Sequence, residues 1–159
     1  MIRVCFVCLG NICRSPTAEG IMLHLVRASG LQAQIQIDSA GTAGYHQGEA
    51  ADGRSRQTAM AHGVDLPSRS RQFVPADFQR FDHVIAMDRE NARNLRRIAP
   101  DDKASGRVTL LRDFAANGAR DLDVPDPYYG GPEGFEQVFD ICQAGCEGLL
   151  RFLREEHGF

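Results

Sequence analysis

Apolar and polar residues recur along the chain with two periods, and the changes of period mark its elements. Residues 2–8, Ile-Arg-Val-Cys-Phe-Val-Cys, form a β-branched and aromatic run closed by Gly10-Asn11. That predicts a buried strand followed by a tight loop. Ser15-Pro16 then offers an N-cap and a first-turn proline to a mostly apolar helix that runs to Val26 and stops before Gly30. Residues 33–39 set Ile35 and Ile37 against Gln34, Gln36 and Asp38, the pattern of an edge strand with one face less buried. Residues 41–52 have no clean period and read as a long loop before a helix over 54–62, closed by Gly63. A third strand is predicted over 83–87, a charged helix from Asp88 to Ile98, and a fourth strand over 107–111. Strand and helix alternate, so a parallel α/β arrangement is the simplest reading.

The segment 121–132 carries Pro125, Pro127, Pro132, Gly130 and Gly131, which exclude a helix interior or a central strand, so it is a loop. The closing helix, over 134–154, lays Phe135, Val138, Phe139, Cys142, Cys146, Leu149, Leu150 and Leu153 along one stripe toward the sheet. Gly145 and Gly148 within it cost up to about 1 kcal/mol each relative to alanine, which predicts close packing there.

Composition narrows the function. With 159 residues, 43% apolar and 25% charged, the whole chain 1–159 is expected to form one domain with its own core. A net charge of −3 speaks against a general nucleic-acid footprint or a polybasic membrane surface. No apolar stretch approaches the ~20 residues of a membrane span, and no export signal is visible, so a cytoplasmic location is expected. Five cysteines, three of them among the first 13 residues, do not form a secreted disulfide framework. Their spacings lack a partner histidine pair, so neither a metal nor another cofactor is expected.

The chemistry gathers in Val7-Cys8-Leu9-Gly10-Asn11-Ile12-Cys13-Arg14-Ser15-Pro16. Main-chain N–H groups of a strand-to-helix turn converge on one point, where the helix dipole adds roughly half a positive charge. Such a nest suits a phosphate-like dianion. Arg14 can add two parallel charge-assisted hydrogen bonds, and Gly10 and Asn11 suit the positive φ of a tight cradle. The same field favours Cys8 as a thiolate nucleophile, and the Ser15 hydroxyl can cap the helix and point at the sulfur. Because 17 of the 18 basic residues are arginine, a Cys-x5-Arg pair alone carries little weight; its setting between a strand and a helix start carries more.

Together with Asp126-Pro127-Tyr128-Tyr129-Gly130 and Asp38-Ser39-Ala40-Gly41, this string resembles the low-molecular-weight protein tyrosine phosphatase family over essentially the whole chain. The resemblance implies a four-stranded parallel sheet of order 2-1-3-4, helices on both faces, and a phosphate-binding loop after strand 1, at a topological switch point. It implies that Cys8 is the nucleophile and that Leu9, Gly10, Asn11, Ile12, Cys13 and Arg14 bind phosphate. Asp126 would protonate the leaving phenol and then activate water against the cysteinyl-phosphate. Leu9, Ile12, Tyr45, Tyr128 and Tyr129 could wall a slot deep enough to select phosphotyrosine over shorter phosphoserine and phosphothreonine.

In that family the loop asparagine is held by a serine and a histidine, which places Ser39 and His62 beside Asn11, with Ser15 and Asp88 as further supports. Implied partners are tyrosine-phosphorylated proteins, among them a tyrosine kinase, with inorganic phosphate as product. Cys13 is a candidate to trap an oxidised Cys8 as a disulfide, and Cys5, Cys142 and Cys146 read as buried fillers. Arginines 54, 56, 69 and 71 read either as a basic rim for acidic substrates or as an ordinary solvated face.

The main alternative is a thiol-coupled arsenate reductase of the same fold, which needs relay cysteines where this chain has none, from Arg14 through Ile141. A noncatalytic phosphotyrosine-binding module would leave Cys8, Arg14 and Asp126 superfluous. Gly-x-Gly-x-x-Gly and Walker patterns are absent, which weakens a nucleotide-binding reading.

Overall fold

A computed structural model describes residues 1–115 and 121–159. Four strands, β1 (Ile2–Cys8), β2 (Ile35–Gly41), β3 (His83–Ala86) and β4 (Val108–Leu110), form one parallel sheet of order β2-β1-β3-β4. β2 is at an edge, as its alternation predicts. It begins two residues later than expected and continues to Gly41, whose pairing with Cys8 brings it alongside the start of the loop after β1.

Central position explains the apolar run of β1. Val4 and Phe6 enter a core with Ile21 and Met22 of α1 (Arg14–Ala28), Ala59 of α2 (Gly53–Ala61), and Phe139, Leu149 and Leu153 of the closing helix. Cys5 and Val7 point to the opposite face, where Phe73, Phe78, Val84 and Leu95 of α3 (Arg89–Ile98) pack. Successive side chains of a strand alternate between faces, so a strand covered on both must be apolar throughout.

A four-residue helix, α4 (Asp102–Ser105), and two 3-10 turns (Pro75–Gln79 and Leu111–Phe114) have no counterpart in the predicted elements. Each is shorter than the stretch over which a helical period shows. α4 is held by its cap, Ala104 N–H donating to Asp101 Oδ1 at 2.8 Å. The closing helix, α5 (Pro132–His157), exceeds the predicted span at both ends, with Pro132 in its first turn and Gly158 in the left-handed conformation after its last. A Cβ on Gly145 would lie 2.6 Å from Leu111 Cγ, and one on Gly148 1.7 Å from Phe114 O. The expected close packing is therefore present, and it seats α5 on the turn that follows β4.

Candidate active site

The loop between β1 and α1 is anchored by its carbonyl groups. Thr42 N–H donates to Cys8 O, Ala43 N–H to Leu9 O, Ser70 Oγ to Gly10 O and Asp52 N–H to Ile12 O, all within 3.0 Å. With Gly10 O held in this way, the N–H on the other side of the same peptide, that of Asn11, is turned to Cys8 Sγ, to which it donates at 3.2 Å. Asn11 is the one non-glycine residue with positive φ among the described residues, at 57°. Gly10, expected to share that conformation, does not. Its lack of a side chain instead accommodates His46, whose Cδ2 would lie 3.0 Å from a Cβ there. Gly41 serves the loop in the same way, since a Cβ at that position would sit 2.6 Å from Leu9 O.

Ser15 does not cap α1, contrary to expectation. The helix starts one residue earlier, at Arg14 after Cys13, and the Ser15 hydroxyl lies 3.0 Å from Cys8 Sγ. Cys8 and Arg14 are 3% and 4% exposed, so sulfur and guanidinium are both withdrawn from bulk water. Arg14 Nη1 donates to Asp88 Oδ2 at 2.6 Å and to Val124 O at 3.1 Å. Burial alone would weaken its hold on the proton, but Cys8, Asp88 and Asp126 outweigh that and raise its pKa, so it stays cationic.

Asp126 Oδ2 approaches Arg14 Nη2 at 3.6 Å, while Oδ1 accepts the Tyr128 N–H at 3.1 Å. A cavity lies over Cys8, bounded by Leu9, Ile12, His46, Asp126 and Tyr128, with Tyr45 and Tyr129 also lining it. These last two are 75% and 95% exposed and form its rim rather than its wall. Tyr128 is the built wall. It packs on Ile12, Cys13 and Phe135, and the Arg54 guanidinium lies 5.4 Å from its ring centroid and 4.6 Å from that of Phe135. His46 escaped the sequence reading because the loop that carries it has no period; its signal in the chain is only a histidine three residues before Glu49, with which it pairs at 2.7 Å.

Of the predicted supports for Asn11, the structure brings together Ser15 and Ser39, which accept from Asn11 Nδ2 at 2.8 and 3.0 Å. His62 is not among them. Its Nε2 lies 2.5 Å from Glu136 Oε1 and its ring stacks on Phe139 at 4.1 Å, because the end of α2 faces α5 rather than the loop. The remaining partner of Asn11 is the Arg71 N–H, which donates to Oδ1 at 3.1 Å. Asp88, expected as a further support, accepts from Arg14 Nη1 and also caps α3 by accepting the Asn91 N–H.

Cys13 is buried, and desolvation, with a smaller effect of Asp52, pushes its thiol up to about 12. Cys5, Cys142 and Cys146 are free, buried thiols, as fillers should be. The four arginines of the suspected rim are engaged by the protein itself: Arg54 with Asp52, Arg56 with Ala51 O, Arg69 with Gly48 O, and Arg71 with Asp38 and Asp77. Among the described residues, the group close enough to hold a metal is His62, Glu136 and Asp140 on the exposed α2–α5 surface, and no helix is long and apolar enough to cross a membrane.

The model of the family described as low molecular weight phosphotyrosine protein phosphatase matches residues 3–158. The chain is 47% identical over 155 residues to a low molecular weight protein-tyrosine-phosphatase of Streptomyces coelicolor, covering 97% of this chain and 94% of that protein. It superposes on a crystal structure of a protein tyrosine phosphatase from Entamoeba histolytica with a TM-score of 0.94, at 40% identity, covering 98% of this chain and 99% of that one. The Drosophila arginine phosphatase DARP gives a TM-score of 0.89 at 31% identity, covering 96% and 98%. The chain belongs to the low molecular weight phosphotyrosine protein phosphatase family.

Proposed function

We propose that this protein hydrolyses phosphotyrosine in proteins, and small aryl phosphates, through a cysteinyl-phosphate intermediate. The observation that carries the reading is the placing of Cys8 Sγ between the Ser15 hydroxyl at 3.0 Å and the Asn11 N–H at 3.2 Å, at the start of α1 and beside a buried Arg14. Both groups can donate hydrogen bonds to a thiolate, and the helix dipole favours negative charge there.

In the first step Cys8 Sγ forms a bond to phosphorus as the bond to the tyrosine oxygen breaks, and protonated Asp126 gives that oxygen its proton. In the second, water attacks phosphorus, Asp126 takes its proton, and the S–P bond breaks to return the thiolate. Loop N–H groups and the Arg14 guanidinium oppose the charge that builds on the phosphoryl oxygens in both steps. Tyr128 and Ile12 supply an apolar wall for a phenyl ring, and the depth of Cys8 behind them disfavours shorter phosphoserine and phosphothreonine.

Hydrolysis of phosphotyrosine without added metal, compared with phosphoserine, phosphoarginine and arsenate plus a thiol reductant, tests the assignment. Phosphotyrosine should be turned over fastest, and Cys8→Ser should abolish that turnover. Hydrolysis that persists in Cys8→Ser excludes the covalent route. A preference for phosphoarginine or for arsenate reduction replaces the substrate.

A further inference from the structure

Tyr128, the wall of the cavity, stands on a segment that is tied to the rest of the fold mainly at its start. Val124 N–H donates to Met87 O at 2.8 Å, and Val124 O accepts from Arg14. The bonds beyond it, Tyr128 N–H to Asp126 Oδ1 at 3.1 Å and Gly130 N–H to Pro127 O at 3.0 Å, stay within the segment. Turns of this kind shape the main chain but do not fix where a ring lies. That is left to the groups packed on the ring, which are Ile12, Cys13, Phe135 and the Arg54 guanidinium.

Arg54, in the first turn of α2, lies over two rings at once, with its guanidinium carbon 5.4 Å from the centroid of Tyr128 and 4.6 Å from that of Phe135. It is itself held. Nε donates to Asp52 Oδ1 at 3.1 Å and Nη2 to Oδ2 at 3.0 Å, a fork on one carboxylate, and the Arg54 main-chain N–H donates to Oδ1 at 2.8 Å. The Arg54 side chain is the larger cause that holds the Asp52 carboxyl below its ordinary value, so the pair is charged at neutral pH. Asp52 is the N-cap of α2, and its own N–H donates to Ile12 O at 2.8 Å. One residue bonded to the loop after β1 therefore aims the cation that covers Tyr128. With Nε and Nη2 turned to Asp52 and the charge paired there, what Arg54 offers the cavity is its flat face.

We propose that Arg54 is a positioning residue that holds Tyr128 in place before a ligand arrives, so that the wall for the substrate's phenyl ring is preformed. The inference deepens the phosphatase reading and rests on it for the identity of that ring. A ligand that meets a fixed wall need not order the Tyr128 side chain, whereas one that meets a loose ring must restrict it on every binding event. A ligand with no ring is indifferent to the wall.

The test compares benzylphosphonate, which carries a ring, with inorganic phosphate, which does not. Dissociation constants are measured by NMR chemical-shift titration in the parent, Arg54→Ala, Arg54→Lys, Tyr128→Ala and the double variant Arg54→Ala with Tyr128→Ala. Arg54→Ala should bind benzylphosphonate about fivefold more weakly, the effect of ordering one side chain, and should bind phosphate as the parent does. Arg54→Lys should resemble Arg54→Ala, because an ammonium keeps the charge but lacks the flat face and the fork. With Tyr128 already replaced, Arg54→Ala should change neither constant further. Equal weakening of both ligands in Arg54→Ala, with recovery in Arg54→Lys, would assign Arg54 to attraction of the dianion. Undiminished benzylphosphonate affinity would make it merely structural, and a loss that persists without Tyr128 would route its effect elsewhere; each of these results overturns the proposal. Parental phosphate binding also shows that a variant has kept its folded loop. Neither titration involves turnover, so a parent that fails to hydrolyse phosphotyrosine would sink the phosphatase reading and still leave the role of Arg54 decided on its own.

Discussion

Arg14 and Asp88 are joined at 2.6 Å between Nη1 and Oδ2, and the other oxygen of the same carboxylate takes the Asn91 N–H at 2.6 Å. One side chain at the end of β3 therefore caps a helix and orients the guanidinium. With Nη1 committed to Asp88 and Val124, Nη2 is left on the side of Asp126.

Asp88→Asn keeps an oxygen for the cap but loses the charge that holds Arg14. It should fold but lose about 3 kcal/mol in urea unfolding, because the amide cannot neutralise the buried Arg14, and show kcat/KM reduced by at least about tenfold, the cost of one charged hydrogen bond. Asp88→Ala loses the cap as well, a further cost of about 1 kcal/mol in urea unfolding. Equal kcat/KM in parent and Asp88→Asn would mean that Arg14 is oriented without it.

Asp126 is tested by the leaving group. A phenol that leaves readily needs little help, whereas tyrosine, with a parent pKa near 10, needs a proton. Asp126→Ala should lose on the order of 10²–10⁴-fold in kcat/KM with phosphotyrosine and far less with a nitrophenyl ester. Equal losses on both would remove Asp126 from the proton transfer.

The fold and the proposed reacting residues are legible in the chain for different reasons. β1 announced itself because both faces of a central strand are buried, and α5 because its stripe is long. The cradle was legible because Cys8, Arg14 and Asn11 sit within seven residues, so that a local motif holds most of the geometry. His62 was misplaced because which way the end of a helix faces is decided by packing, here against Phe139 and Glu136, and not by spacing. The place of Arg54 over Tyr128 and Phe135 is hidden for the same reason. The three are far apart in the chain, and an arginine in the first turn of α2 looks like any solvated residue until the fold brings the two rings beneath it.

The state of Cys13 gives oxidation a characteristic pH dependence. Its thiol, pushed up to about 12 by burial, is protonated at neutral pH, and only the thiolate attacks a sulfenic acid on Cys8, releasing water as the disulfide forms. Disulfide formation after a peroxide pulse should therefore accelerate about tenfold per pH unit between about pH 7 and about pH 9. A pH-independent rate, or equal thiol recovery in Cys13→Ser, would exclude Cys13 as the resolving group.

His83, at the start of β3, makes stability fall on mild acidification. Burial lowers its pKa, opposed by Asp82 and Glu156 and reinforced by His157. The unfolded chain takes up a proton near pH 6.5 while the folded one does not, so folding is strongest above that value and weakens as pH falls toward the folded-state pKa. Urea unfolding of His83→Gln should show a shallower loss from about pH 7.5 to about pH 5.5 than the parent. Identical slopes would place the pH dependence elsewhere.

The covalent intermediate is tested most directly by offering the enzyme an alcohol beside water. If every aryl phosphate passes through the same cysteinyl-phosphate on Cys8, the ratio of alkyl phosphate to inorganic phosphate will be identical for leaving groups of very different acidity, and rapid quenching will find a phosphoryl group on the peptide that contains Cys8. A ratio that changes with the leaving group, with no phosphoryl group on that peptide, would contradict the account.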